Sequence, residues 1–354
     1  MQENTFPLSL SYDDVLLVPQ YSEINSRNDV SLETNISQKV KIKIPLISAN
    51  MSDVTGVEMA IKLGKLGGLG VIPRFMPIEI QSNEVAAVKK ELDLVAAAIG
   101  AREQLIERAE SLVAAGATIL FLDVAHGHMN KILEATSKLR SHFKNNICIV
   151  SGNSATFEAA NDLFKSGADC VKVGVGPGSI CTTRIETGSG VPQLTAVIES
   201  AKAARKHKKY IIADGGIKNS GDIVKALGAG ASAVMAGSIF AGLDEAPGKL
   251  ITKDGKKYKV YNASTSLAEK KKHFLFSGLH TEQHYVKQIE GVESIVPYKG
   301  KLEDMIVRYS ANIRSGLSYS GAKNIPELWL KAKFTRMTSQ GLRESGSHDV
   351  LLYN

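Results

Sequence analysis

Short apolar runs ending in Gly, Asn, Asp or Pro recur along the chain, each followed by a helix-length segment. The runs are PLISAN (45–50), GLGVIP (68–73), LVAAAIG (94–100), TILFLDV (118–124), ICIVSGN (147–153), CVKVGVG (170–176), YIIADGG (210–216) and SAVMAGS (232–238). In the segments between them apolar residues return at i, i+3 and i+4, as Leu105, Ala109, Leu112 and Val113 do in REQLIERAESLVAAG. Gly116, Gly167, Gly228 and Gly230 fall where these helices are expected to stop. Strands this continuously apolar are covered on both faces, as strands of parallel sheets are. Alternation with helices predicts parallel pairing through right-handed crossovers. Eight such units are the number that closes a (β/α)8 TIM barrel, so the fold class is α/β. An open doubly wound sheet has the same local pattern. The barrel is preferred because the unusual residues fall at strand C-terminal ends around the full set.

Two stretches break the period. GVGPGSICTTRIETGSGVP (174–192) separates the sixth strand from its helix, and a Lys-rich, hydrophilic stretch spans about 243–300 after the eighth. Loops of this length in a compact domain are usually functional. In a barrel both would open onto the face that carries active sites. The expected organisation is one barrel domain over 1–354, with a Cys loop at about 174–192 and a flap or insertion at about 243–300.

Composition narrows the function classes. Of 354 residues, 44% are hydrophobic and 22% charged, which excludes wholesale disorder. The N-terminus is acidic and carries no signal-peptide pattern, and no apolar run is long enough to span a bilayer. Three cysteines (148, 170, 181) are too few and too dispersed for a disulfide framework or a Cys-based zinc site, so a reducing, cytoplasmic setting is expected. The net charge of +7 fits nucleic acid or a small phosphorylated ligand. Lys249, Lys253, Lys256, Lys257, Lys259, Lys270, Lys271 and Lys272 cluster in the second long stretch with few aromatics. That composition reads as solvated surface, and no nucleic-acid partner is expected.

The candidate chemistry sits at the strand ends. Cys181 lies on a loop with Gly174, Gly176, Gly178 and Gly188, beside Thr182, Thr183 and Arg184. A thiol on a polar loop near a cation is a candidate nucleophile, although an ordinary exposed thiol has the same neighbours. Cys148 and Cys170 lie in apolar runs and read as inert core thiols. Gly176-Pro177-Gly178 is no dinucleotide fingerprint, because its spacing is wrong and no helix is expected after it. Asp214, Gly215 and Gly216 end the seventh strand, and Gly237 and Ser238 end the eighth, where barrels commonly bind phosphate. The same glycines also suit plain turn geometry. Asp123, His126 and His128 follow the fourth strand and Asn153 ends the fifth. His126-Gly127-His128 lacks a third ligand at useful spacing, so Asp123 reads better as an acceptor for a ligand hydroxyl than as part of a metal site.

GVGPGSICTTRIETGSGVPQ (174–193) resembles the catalytic Cys loop of the IMP dehydrogenase/GMP reductase family. The resemblance extends to LSYDDVLLVP (10–19), SANM (48–51), DVAHGH, SGN, IIADGGIKNSGDIVKALGAGA, GSIFAG and VPYKG (296–300), essentially the whole chain. It implies a (β/α)8 barrel and a purine 5′-monophosphate substrate. Cys181 would bond covalently to purine C2, and hydride would pass between C2 and a nicotinamide. Thr183 and Glu290 would handle protons at the leaving group. Asp214 would hold the ribose, with Gly216, Gly237 and Ser238 on the phosphate, and Ser48, Asn50, Ser179 and Gly215 would also face the substrate. Asp123 and Asn153 would lie near the reacting ring and the nicotinamide, and Arg74 stands where the reductases have Lys. Where the family has a GMGS or GMSS segment against the purine, this chain has NASTS (262–266), offering Ser264 and Ser266. The carbonyls of Gly176, Gly178 and Cys181, with Glu344 from a neighbouring copy, would hold a monovalent cation such as K+. A homotetramer is also implied.

Two absences favour the reductase branch, which deaminates GMP to IMP and ammonia with NADPH. The flap, HFLFSGLHTEQHYVKQIEG (273–291), has no Arg where the dehydrogenases carry an Arg-Tyr pair, and His284-Tyr285 lies close to Glu290. The tandem of regulatory CBS domains inserted after the second strand in most dehydrogenases is missing. Against these, FTRMTSQGLRESGSHDV (334–350) resembles the dehydrogenase C-terminus. The dehydrogenase alternative oxidises IMP to XMP with NAD. A non-catalytic nucleotide-binding regulator is a further reading.

Overall fold

The strands β1 (Leu46–Ser48), β2 (Leu69–Ile72), β3 (Ala96–Ile99), β4 (Ile119–Asp123), β5 (Cys148–Ser154), β6 (Cys170–Val173), β7 (Tyr210–Asp214) and β8 (Ala233–Ala236) pair in sequence order, all parallel. β8 returns to β1 through Val234↔Leu46 and Met235↔Ile47, which closes the barrel and excludes the open sheet. The computed structural model describes residues 6–101, 104–275, 287–348 and 350. Every residue of β2, β3, β6 and β8 is buried, as expected of strands packed on both faces. Each fully buried Leu, Ile or Phe in this core contributes roughly 1.5–3 kcal/mol.

The helices α1 (Val57–Lys65), α2 (Ile78–Lys89), α3 (Leu105–Ala114), α4 (Asn130–Phe143), α5 (Phe157–Lys165), α6 (Gln193–His207), α7 (Ser220–Gly228) and α8 (Leu302–Tyr319) lie in the crossovers and after β8. Thr156 and Asn219 cap α5 and α7 by accepting from Ala159 N and Asp222 N, each worth about 1 kcal/mol. Gly116, Gly167 and Gly230 take φ of +109°, +107° and +110° just past their helices. Gly228 does not stop a helix. It is the last residue of α7, where an added Cβ would lie 3.2 Å from Leu17 Cδ2, so the position is small for packing.

An N-terminal hairpin, Thr34–Asn35 with Lys41–Ile42, meets the N-terminal ends of β7 and β8. Thr34 donates to Ser232 O at 2.7 Å, and Asn35 donates to the Tyr210 hydroxyl at 3.1 Å. Val15–Leu17 pairs antiparallel with Phe334–Arg336.

Both irregular stretches contain structure that the hydrophobic pattern did not show. The Cys loop includes a five-residue helix, Thr183–Thr187, so a helix does follow the glycines. The stretch after β8 folds into a three-stranded antiparallel sheet (Leu250–Lys253, Lys256–Val260, Ile295–Pro297) and a helix, Leu267–Phe274. Lys253, Lys256 and Lys257 stand exposed on those strands, which hid the strand pattern, whereas Lys259 is buried and donates to Leu243 O at 2.8 Å, so it is not solvated surface. Asp254-Gly255 makes the two-residue hairpin turn, at φ +51° and +73°. His284-Tyr285 falls outside the described residues.

Candidate active site

The Cys loop is tied at both ends. Gly174 follows β6 at φ +148°, and a Cβ there would lie 2.1 Å from Asp214 O, so only Gly permits the approach to β7. Gln193 Nε2 donates to Val173 O at 2.8 Å and to Asp214 O at 3.1 Å. Arg184 donates to Val175 O at 3.2 Å and to Val191 O at 2.6 Å, stapling the loop's two arms. The cation beside the cysteine thus shapes the loop.

Cys181 is half-buried, and its Sγ lies 3.1 Å from Thr183 Oγ1. Thr183 in turn donates to Glu290 Oε2 at 2.7 Å. A Thr hydroxyl has one proton, and here Glu290 receives it, so the thiol S–H must be the donor to Thr183. The three groups form one hydrogen-bond chain from sulfur to carboxylate. Backbone pairing brings Glu290 there: Thr182 N donates to Glu290 O at 3.0 Å, Val292 N donates to Ile180 O at 3.1 Å, and Cys181 bridges Gly291. The other two thiols are buried. Burial pushes Cys148 up to about 12, and Cys170 is also raised well above its ordinary value, chiefly by burial. Cys181 is therefore the accessible thiol of the three.

Beside Cys181 a cavity of 230 Å³ is lined by Ser179, Gly215, Gly216, Gly237, Ser238 and Tyr261, among others. Ser238 opens a short helix, Ser238–Ala241, after β8. Tyr261 was not singled out by the sequence pattern. Burial pushes its phenol up to about 12, so it stays a neutral hydrogen-bonding group. Lys218, at the rim, pairs with Asp13. Pro177, Gly178 and Arg184 join the same wall.

A polar cluster joins Lys172 on β6 to residues of β4, β5 and β7, with Asn50 and Arg74 reaching in from after β1 and β2. Lys172 on β6 is 3% exposed; its Nζ lies 2.9 Å from Asp123 Oδ1, donates to Asn153 Oδ1 at 2.6 Å, and also donates to Asp214 Oδ2. Asn153 Nδ2 donates to Asp214 Oδ2 at 3.0 Å and to Gly174 O at 2.7 Å. Asn50 donates to Asp123 Oδ2 at 3.0 Å, and Arg74 Nε stands 4.0 Å from the same oxygen. Burial alone would raise Asp123, but the charges of Lys172 and Arg74 and the hydrogen bonds from Lys172 and Asn50 outweigh it, so the group is lowered. For Lys172, burial opposes the charge, yet the two carboxylates raise it overall. The apolar run CVKV concealed this lysine; a charged residue inside a strand buried on both faces was the available signal.

Other predicted residues are placed differently. Ser48 is fully buried and accepts from the Thr55 hydroxyl at 2.8 Å. Ser266 is buried as the N-cap of Leu267–Phe274, accepting from Glu269 N, while Ser264 stays half-buried. Glu344 is exposed at the end of Ser339–Glu344. Gly176 and Gly178 are half-buried, and Gly178 O accepts from Cys181 N at 3.1 Å. His128 Nε2 meets Asp162 at 3.2 Å, and among the described residues no group of three or more His, Cys, Asp or Glu is placed to hold a metal. No described helix is long and apolar enough to cross a membrane.

A parallel eight-stranded barrel with a half-buried Cys, a Cys–Thr–Glu hydrogen-bond chain and a Gly-lined cavity at the C-terminal ends of its strands has the layout of a (β/α)8 barrel enzyme. The family model described as IMP dehydrogenase / GMP reductase domain matches residues 9–348, and the chain belongs to that family of purine-nucleotide oxidoreductases. It is 41% identical to the inosine-5′-monophosphate dehydrogenase of Cryptosporidium parvum over 387 residues, covering 96% of this chain and 95% of that one. It is 33% identical to the GMP reductase of Leishmania major over 486 residues, covering 98% of each. A crystal structure of a cysteine-to-alanine variant of GMP reductase from Trypanosoma brucei, in complex with guanosine 5′-monophosphate, superposes with a TM-score of 0.91. The identity is 30%, covering 99% of this chain and 100% of that one. A relative named as a dehydrogenase aligns over 387 residues and one named as a reductase over 486, so lack of an insertion does not mark the reductase branch.

Proposed function

We propose that the protein is a GMP reductase, converting GMP, NADPH and two protons to IMP, NADP+ and ammonium. The observation that carries this reading is the Cys181–Thr183–Glu290 path, in a chain whose flap sequence (273–291) contains no Arg to activate water. Cys181 sulfur bonds to purine C2 after its proton leaves along Thr183 toward Glu290. The C2–N bond breaks as the path returns a proton to the departing amine, and ammonia leaves with the bonding pair. Reduced nicotinamide dinucleotide, when bound, supplies the hydride to C2. The C–S bond then breaks and Cys181 recovers its electron pair, giving the C2–H of IMP.

The polar residues suit the two ligands. The cavity's glycines and Ser238 suit the 5′-phosphate, and Asp214 suits the ribose hydroxyls. Asp123, held charged beside Asn50 and Arg74, suits a hydroxyl donor on the nicotinamide side. A tetramer in the cytoplasm, and a cation on the carbonyls of Gly176, Gly178 and Cys181 with Glu344 of a neighbouring copy, belong to the same proposal.

The second reading, IMP dehydrogenase with NAD, is favoured by the 41% identity to a relative of that name. Purified protein given GMP with NADPH, and separately IMP with NAD, decides between them through nicotinamide absorbance. NADPH consumption with GMP is expected. NADH formation from IMP, with no NADPH consumed by GMP, overturns the reductase in favour of the dehydrogenase. Neither reaction, with nucleotide binding intact, favours a regulator.

A further inference from the structure

Lys172 interrupts an otherwise apolar strand, and a buried ammonium persists only when its protons are satisfied and its charge is balanced. Its contacts to Asp123 and Asn153 and its hydrogen bond to Asp214 use all three protons. The two carboxylates meet at the one ammonium but come from different strands, β4 and β7, and differ in their other neighbours. Asp214 leads directly into Gly215 and Gly216, which line the cavity. Asp123 faces Asn50 and Arg74 instead. Asp214 Oδ2 is taken by Lys172 and Asn153, while Oδ1 accepts no hydrogen bond among the described residues and is left for a ligand.

We propose that Lys172 is a positioning residue that couples nucleotide and dinucleotide binding, because one ammonium serves a carboxylate of each half-site. The inference rests on the reading above, which assigns those two ligands to the two sides. A ligand hydroxyl that donates to Asp214 draws electron density from that carboxylate. The ammonium's bond to Asp214 weakens, and its hold on Asp123 tightens. Asp123 then meets the second ligand with a changed acceptor strength, and by linkage the second ligand changes the affinity of the first by the same factor. Asn153 gives the ammonium a third fixed partner, so its freedom is between the two carboxylates.

The test uses IMP and NADPH, a product paired with a reduced cofactor that do not react together in either direction proposed. NADPH affinity is read by its fluorescence, with and without saturating IMP, in the full-length protein. In the native chain the two values should differ by about fivefold or more. Lys172→Arg should keep most of that factor. Lys172→Met should bring it below about twofold, with the thermal melt and the rate of Cys181 alkylation by iodoacetamide showing that fold and nucleophile persist. Asp214→Asn should shift NADPH affinity about fivefold without IMP, and should not do so alongside Lys172→Met. Equal coupling in the native chain and Lys172→Met, or none in the native chain, overturns the proposal. If Lys172→Met does not fold, the Asp214→Asn arm on the native chain decides alone, and an unmoved NADPH affinity overturns it. If the native chain binds neither IMP nor NADPH, the functional reading fails instead.

Discussion

The two ends of the barrel use the same residue type in opposite ways. Toward the N-terminal end, Cys148 opens β5 and Cys170 opens β6, both buried, with their thiols held neutral. At the C-terminal mouth, Cys181 is half-exposed and hydrogen-bonded to Thr183, which donates to Glu290. The mouth also gathers charge, a buried Lys172 against the half-buried Asp123 and Asp214, while the opposite end is covered by an N-terminal hairpin with Ile36 and Ile42 buried. Chemistry follows the environment that the strand ends create, and the side chain alone does not specify it.

Replacing each thiol tests that contrast most severely. Cys181→Ala should lower turnover by roughly 10⁴-fold or more, with nucleotide affinity measured by calorimetry little changed. Cys148→Ala and Cys170→Ala should leave kcat in place; a turnover loss there as large as at Cys181 would erase the distinction between the ends. Next in size, Glu290→Gln should cost roughly 10²–10⁴ in kcat while nucleotide affinity holds, because it removes the terminal proton acceptor and not a binding group. Cys170→Ser should cost about 1–3 kcal/mol in urea unfolding by burying a hydroxyl, with no effect on kcat.

The smallest effect concerns acid. Glu269 is lowered to about 2: burial works against the charged form, and hydrogen bonds from His273, Lys272 and Ser52 outweigh it. A depressed carboxyl stabilises above its ordinary value of 4.5 and loses that contribution as pH falls toward about 2. His273, stacked on Phe75 with ring centroids 3.7 Å apart, is also lowered, mainly by burial. Its neutral form is the native one, so its contribution is present above its ordinary 6.5 and is lost as pH falls through the lower folded value. Both signs agree. Hydrogen exchange over Leu267–Phe274 should accelerate below about pH 6 relative to the barrel strands; uniform protection at pH 7 and pH 4 would contradict this.

The barrel was legible because its strands and helices keep two different periods, and glycines mark three of the helix ends. The region 243–300 was less legible, because Lys253, Lys256 and Lys257 stand exposed on its strands and read as loop. Cys181, Thr183 and Glu290, named from resemblance, are brought together in the structure. Lys172 and Tyr261 were missed because each is one polar-tipped residue in an apolar or structural segment, and its partners are distant in sequence. Ser266 shows the converse: a hydroxyl in a recognised segment whose hydrogen bond goes to capping a helix.

The backbone pairing of Ile180–Thr182 with Glu290–Val292 has a bearing on how such proteins diverge. Gly291 lies so close that an added Cβ would stand 2.2 Å from Ala263 Cβ, which fixes the seam between three segments. The acid reaches the nucleophile through this seam and does not depend on the length of chain before it. Chain between Ala263 and Glu290 can therefore lengthen, shorten or change composition between descendants while the Cys181–Thr183–Glu290 contacts are kept. Selection on the ligand can then act on the flap without reopening the question of how Cys181 loses its proton.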